Sequence, residues 1–291
     1  MILHFSLLPL IAMTHNEKRS SPWKEAQLAL FTGGLFGAAH TVSGHPLDTI
    51  KSRMQINRDY LKLNSFQTTS KIFREDGMRG FFRGMVPPLW GSTVYRAVML
   101  SAYEFAFTHI EQNYDDNHFI KRELIGGLRP LVLASAFFAS ACRSGLENPI
   151  EYAKVMGQTN QKWMFADIYR GFGAQCVRNT GLLIPIFCMV DYSRRKTDYM
   201  KQPMGVFMVT SVAASAGYLM AWPLETLKNL AQSATPHAGA TVAQRMEYLG
   251  GIRGVYRGVW PGTICGGFRN GCAMMIMGTA QAWATQLGLR N

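Results

Sequence analysis

Residues 45–55 read HPLDTIKSRMQ, an apolar stretch that ends in a proline, Pro46, followed by an acid at Asp48, a base at Lys51 and an amide at Gln55. A proline removes a backbone donor and bends a helix. An acid and a base three positions apart point in different directions around a helix, so each is set to meet a different neighbour. One copy decides nothing; the pattern gains meaning by recurring. Residues 149–158 read PIEYAKVMGQ and residues 223–232 read PLETLKNLAQ. The copies align Pro46, Asp48, Lys51 and Gln55 with Pro149, Glu151, Lys154 and Gln158, and with Pro223, Glu225, Lys228 and Gln232. A second motif follows each copy: FFRG at 81–84, IYRG at 168–171 and VYRG at 255–258. Its arginines, Arg83, Arg170 and Arg257, lie 87 residues apart both times (170−83 and 257−170). The chain is therefore three units of two helices each.

Composition points to a membrane. The 291 residues are 48% hydrophobic and only 16% charged, with 28 glycines and a net charge of +12. Soluble domains carry about 25% charged residues. A nucleic-acid binder can be this basic, but it shows charge-dense faces rather than long charge-poor runs. Crossing a bilayer takes ~20 mostly apolar residues. Six windows fit: 26–44, 85–103, 126–142, 172–190, 204–222 and 259–287, several with an arginine or two inside. Small residues such as Gly33, Gly34, Gly37 and Ala38 allow close helix contact. The five cysteines, Cys142, Cys176, Cys188, Cys265 and Cys272, have neither metal spacing nor a disulfide framework and read as small core residues. The apolar start MILHFSLLPLIAM lacks the basic region and cleavage site of a signal peptide. It reads as an extension or mobile tail, with Met13 as an alternative start.

The repeated motifs resemble those of the mitochondrial carrier family: Pro-x-(Asp/Glu)-x-x-(Lys/Arg) closing each odd helix, and aromatic-(Arg/Lys)-Gly opening each even one. The resemblance covers residues ~25–287. It implies an all-α membrane protein, with six transmembrane helices in three pseudo-symmetric two-helix repeats around a central cavity. The division is an N-terminal extension at 1–24, then repeats at 25–115, 116–200 and 201–291. The second repeat is short between its motifs, with 21 residues from Pro149 to Arg170 against 37 and 34 in the others. The resemblance implies kinks at Pro46, Pro149 and Pro223 and a matrix-side gate of Asp48–Lys154, Glu151–Lys228 and Glu225–Lys51. Gln55, Gln158 and Gln232 brace it. It also implies cardiolipin at Gly84, Gly171 and Gly258, where a phosphate approaches a helix N-terminus. The location implied is the mitochondrial inner membrane, multi-pass.

The opposite, cytoplasmic gate of the family falls on Glu104, Asp191 and Gly278, with Phe107, Arg194 and Gln281 as partners. At most one ion pair survives, Glu104–Arg194, with Asp191–Gln281 as a charged-to-neutral bond. Partly exposed pairs contribute ~0–1 kcal/mol each and enclosed ones more. Two missing pairs bias the equilibrium by roughly 1–3 kcal/mol, or about 5–150-fold. The expected resting state has the matrix side shut and the cytoplasmic side open.

Ionisable residues within a span face a polar interior. Arg96, Arg143, Arg178 and Arg269 qualify. The family's substrate contacts map to Gly91 and Ser92, to Arg178 and Asn179, and to Cys265 and Gly266, with Arg269 one turn from the third. Guanidinium matches carboxylate or phosphate with paired hydrogen bonds. An Arg followed by Asn is similar to the carboxylate-type carriers, whereas the wording of the first copy is similar to the carnitine/ornithine-like branch. That branch carries an acid where this chain has Asn179, so the two features point to different substrates. His40 and His45 flank the first kink and read as hydrogen-bonding residues.

Transport of a small, anionic or carboxylate-bearing metabolite by alternating access is the first reading. The alternative is a transport-inactive, carrier-fold subunit packed into a larger inner-membrane complex, a reading that the eroded second gate favours. The expected partners are a small-molecule substrate and cardiolipin, with no nucleic acid, in a monomeric transporter or a complex subunit. No cofactor, metal or catalytic residue is expected, because no nucleophile–base pair emerges.

Overall fold

The computed structural model describes residues 20–56, 65–115, 118–159, 168–169, 172–232, 241–256, 259–287 and 289. Within these, the side chains of 51–56, 65, 125, 151–159, 174, 228–232, 253, 254 and 261 fall outside the description. The described residues form helices and no strand. They are α1 (Pro22–Ile56), α2 (Ser65–Phe81), α3 (Val86–Asn113), α4 (Pro130–Thr159), α5 (Phe172–Lys196), α6 (Pro203–Gln232), α7 (Val242–Tyr248), α8 (Ile252–Val255) and α9 (Val259–Gln286). Each apolar window of the sequence falls in one of the six long helices, although the window at 126–142 begins ahead of α4.

Each long helix packs on its chain neighbour, in the order α1, α3, α4, α5, α6, α9, and α1 packs on α9 to close a ring. Glycines set how close the helices come. A Cβ on Gly37 would stand 2.6 Å from the Ser92 carbonyl and 2.7 Å from the Thr93 Cα, so α1 and α3 touch backbone to backbone. At Gly217 the added atom would stand 2.5 Å from the Leu182 carbonyl, which does the same for α5 and α6. The small α2 breaks at Gly77, whose φ of 63° is cheap only for glycine.

The ring is apolar outside and polar inside. Phe31, Phe137, Met208, Val212 and Ile264 are exposed, while Arg96, Arg143, Glu147, Arg178 and Asn179 are buried. That inversion suits a lipid surround. It also explains why, among the described residues, only Pro203–Leu227 is long and apolar enough to cross a membrane by composition alone. The other long helices spend part of their surface on the polar interior, which dilutes any average along the helix.

One half of the ring is filled. Phe36, Met99, Tyr103, Leu131, Phe187, Val206 and Met274 bring side chains from all six long helices into one buried cluster. Tyr103 and Phe187 stack with ring centroids 3.9 Å apart. They belong to α3 and α5, which flank α4, so they meet across the interior. This plug lies at the end that carries Glu104, Asp191 and Gln281. The expectation that this end stands open is therefore corrected: it is closed, by apolar packing. The magnitudes account for it. Each large apolar side chain buried contributes about 1.5–3 kcal/mol, against ~0–1 kcal/mol for a partly exposed ion pair.

Candidate functional site

The proline copies are tied to the motifs that follow them. Thr49 Oγ1 donates to the Phe81 carbonyl at 2.8 Å, Asn148 Nδ2 to the Ile168 carbonyl at 2.5 Å, and Thr226 Oγ1 to the Val255 carbonyl at 3.0 Å. Each acceptor lies two residues before the arginine of an Arg-Gly motif. Thr49 and Thr226 each lie three residues after their proline. Tyr152 stands at that place in the second copy, and Asn148, just before Pro149, takes over the tie. His45 Nε2 adds a bond to the Arg83 carbonyl at 3.3 Å. Each proline sits inside a continuous helix and leaves unbonded the carbonyl four residues back. The Tyr169 hydroxyl approaches one of these, the Gly145 carbonyl, at a long 3.5 Å.

Between these ties and the plug lie the interior charges. Glu147, on α4, accepts from Arg143 Nε at 3.0 Å and Nη2 at 3.1 Å, from Arg178 Nη2 at 3.1 Å and from Asn179 Nδ2 at 2.8 Å. Arg178, on α5, also donates through Nη1 to Glu225 on α6 at 2.5 Å. One chain of charges thus joins three consecutive helices. Arg269, on α9, donates to Asp48 on α1 at 2.8 Å. Arg96 is buried, and its Nη2 lies 2.9 Å from His40 Nε2. Its guanidinium stands 5.3 Å from the Phe36 ring and 5.8 Å from the Tyr95 ring, while that of Arg143 stands 5.1 Å from the same tyrosine. Among the described residues no carboxylate hydrogen-bonds to Arg96, and its Nε lacks a partner.

A cavity of ≈ 620 Å³ opens among α1, α3, the turn at Arg83–Gly84 and α9, lined by His40, His45, Asp48, Ser92, Tyr95 and Arg269. Gly91 has room beside it, since an added Cβ would meet only Ile150 at 3.7 Å. Gly84 takes a φ of +81° in its turn. Gly171 and Gly258 lie outside the described residues, as do the side chains of Lys51, Glu151, Lys154, Lys228, Gln55, Gln158 and Gln232. The three lysine pairs expected of a matrix-side gate therefore fall there too. Asp48 and Glu225, the two expected gate acids whose side chains are described, are held by interior arginines.

At the plugged end Asp191 does not meet Gln281. Its oxygens accept from Arg129 Nε at 3.2 Å, from Arg195 Nε at 2.9 Å, and from Arg129 Nη2. Gln281 Nε2 reaches Thr32 Oγ1 at 3.5 Å. The expected Asp191–Gln281 bond is thus replaced by a clamp on the linker between α3 and α4. Arg195 also donates to Glu123 and, at 2.6 Å, to the Gly127 carbonyl, and Lys196 meets Glu123 at 3.1 Å. The reason is reach and charge: two guanidiniums adjoin Asp191 and outcompete a neutral amide. Glu104 and Arg194 each have an interaction partner.

Three of these features went unread in the sequence. Glu147 was legible as an acid one turn after Arg143, just past the apolar window at 126–142. The carbonyl ties were half legible, since Thr49 and Thr226 match in place. Arg129 lies in the second repeat but in neither of the repeated motifs, and nothing in the pattern singles it out.

Residues 22–114 match the family model for mitochondrial carrier protein. Relatives align over most of the chain. The mitochondrial carnitine carrier of Saccharomyces cerevisiae is 25% identical over 84% of this chain and 83% of its own length. Mitochondrial magnesium exporter 1 of Drosophila melanogaster is 27% identical over 84% and 89%. The mitochondrial 2-oxodicarboxylate carrier of Rattus norvegicus is 24% identical over 86% and 92%.

Proposed function

We infer that this chain, which belongs to the mitochondrial carrier family, moves a small carboxylate-bearing anion across the mitochondrial inner membrane by alternating access. The observation that carries this reading is the sign of the interior. Four arginines, Arg96, Arg143, Arg178 and Arg269, face three described acids, Asp48, Glu147 and Glu225, and Arg96 is the one without a carboxylate. An uncompensated buried charge costs several kcal/mol, so this guanidinium is poised to receive an anion. Arg178, Asn179 and Arg269 are assigned as further substrate-facing groups, with Gly91 leaving room. The relatives' names divide among a zwitterion, a dication and dianions. Glu147 favours the anions among these chemistries, because Arg143, Arg178 and Asn179 occupy its oxygens and leave it poorly placed to hold a substrate cation.

In this reading the six long helices are the transmembrane spans, two to a repeat, and the ring interior is the transport path. The proline copies form the matrix-side gate, whose lysines take the acids in the assigned pairs when that side closes. The apolar plug closes the other side, and cardiolipin binds at Gly84, Gly171 and Gly258. The test is uptake into proteoliposomes that hold the purified full-length protein, with radiolabelled 2-oxoglutarate, malate, phosphate, carnitine and ornithine. Counter-exchange of a carboxylate that is lost in Arg96→Gln supports the reading. Exchange of ornithine with none of the anions, or no exchange of any solute, overturns it; the latter outcome favours a structural subunit.

A further inference from the structure

The two described gate acids sit where a substrate carboxylate would sit. Arg269 crosses from α9 to α1 over bare backbone: a Cβ on Gly44 would fall 1.8 Å from the Arg269 Cδ. The arginine ends on Asp48 Oδ2 at 2.8 Å, and both line the ≈ 620 Å³ cavity. The partners differ in exposure. The Arg269 side chain is 19% exposed and that of Asp48 is 50%. Arg178 and Glu225 repeat the asymmetry, at 11% and 38%. In both pairs the guanidinium is fixed in the interior and the carboxylate is reached by solvent, so the acid is the exchangeable member.

We propose that Asp48 and Glu225 are resident stand-ins for the substrate: a carboxylate-bearing ligand binds by displacing them from Arg269 and Arg178, and the released acids become free to lock the proline end. The proposal rests on the anion-transport reading and adds the coupling between binding and gating. Displacement exchanges one carboxylate–guanidinium pair for another, so it requires no new burial of an unpaired charge. It also makes binding and lock formation reciprocal: whatever frees the acid tightens the ligand, and the ligand frees the acid.

The experiment compares ligand affinity with exchange rate in the purified full-length protein. Thermal-shift titration with 2-oxoglutarate, and with inorganic phosphate as the competing oxyanion, gives affinity. Proteoliposome counter-exchange gives rate. Asp48→Asn removes the internal competitor, so 2-oxoglutarate should bind about 5–20-fold tighter, toward the low end of ordinary site–site coupling, while exchange slows. Gly44→Ala keeps Asp48 but drives Arg269 from its place, so binding should weaken. If Asp48→Asn does not fold, Glu225→Gln carries the same test at Arg178. Unchanged or weaker 2-oxoglutarate binding in the folded variant, with wild-type exchange intact, overturns the stand-in role and leaves anion transport standing. A gain confined to phosphate overturns the carboxylate class. A wild-type protein that neither binds nor exchanges either anion overturns both readings.

Discussion

Glu147→Gln should be among the most damaging single-atom changes available to this chain. The carboxylate is buried and accepts from two guanidiniums and one amide at 2.8–3.1 Å. Glutamine keeps one acceptor oxygen but turns the other position into a donor that faces donors, and it leaves the guanidiniums less one negative charge. Removing one partner of a buried pair costs about 3–5 kcal/mol. With each kcal/mol worth about 2–4 °C in a chain of this size, the apparent midpoint should fall by about 6–20 °C. Thiol-reactive fluorescence suits the measurement, since Cys188 is buried and free. The double variant Arg143→Met/Glu147→Met is the control. It replaces an ion pair with apolar volume, a change that is often neutral, and it should recover at least half of the loss. A Glu147→Gln midpoint within about 2 °C of wild type, the range of an inert surface change, would show that the network contributes nothing and refute the reasoning.

The clamp at the other end predicts that Asp191→Asn costs about 1–3 kcal/mol, because two guanidiniums lose a charged acceptor, and that amide exchange in 118–130 quickens. The same linker should loosen in acid. The Lys196 hydrogen bond, and then Arg195, hold the Glu123 carboxyl below its ordinary range. Its contribution is therefore full above the unfolded glutamate value and is lost as pH falls through the lower folded one, which amide exchange measured at a series of pH values can follow. Gly37→Val should lower the yield of folded protein sharply, since its Cβ alone meets the Ser92 carbonyl at 2.6 Å and overpacking costs about 1–3 kcal/mol or more. Tyr103→Ala with Phe187→Ala should loosen the plug. A cysteine placed at Gly91 should then react with impermeant maleimide from the Asp191 end as well as from the proline end, whereas in the parent it reacts from the proline end alone.

The ring was legible because its signals are local and repeat. Three prolines with the same flanking charges, and arginines at a constant interval, fix six helices and their order without any knowledge of contacts. Gly33, Gly34 and Gly37 announced a close helix pair, and α1 and α3 form it. What escaped is what only tertiary structure decides. Asp191 has the spacing of a gate acid, but spacing cannot show that Arg129, from the linker ahead of α4 and outside the repeated motifs, arrives first. Glu147 was visible beside Arg143, yet its reach to Arg178 and Asn179 depends on α4 packing against α5.

The state of the molecule escaped for a different reason. Weighing the two ends by their ion pairs treats charge as the only lock, and the end poorest in pairs then looks open. The sequence of that end is rich in Met99, Tyr103, Phe107, Phe187, Met274 and Met277, all buried. Scattered along three helices, they read as ordinary core; only closure of the ring brings them to one level. There they fill the interior with apolar side chains, beside the clamp on Asp191. The division of labour is then physical. In the proposed reading, an apolar closure is insensitive to the charge of what passes, so discrimination falls to the interior arginines. The acids proposed to lock the proline end are the groups those arginines already hold, which would put recognition and release under one set of charges and leave the opposite end as a passive seal.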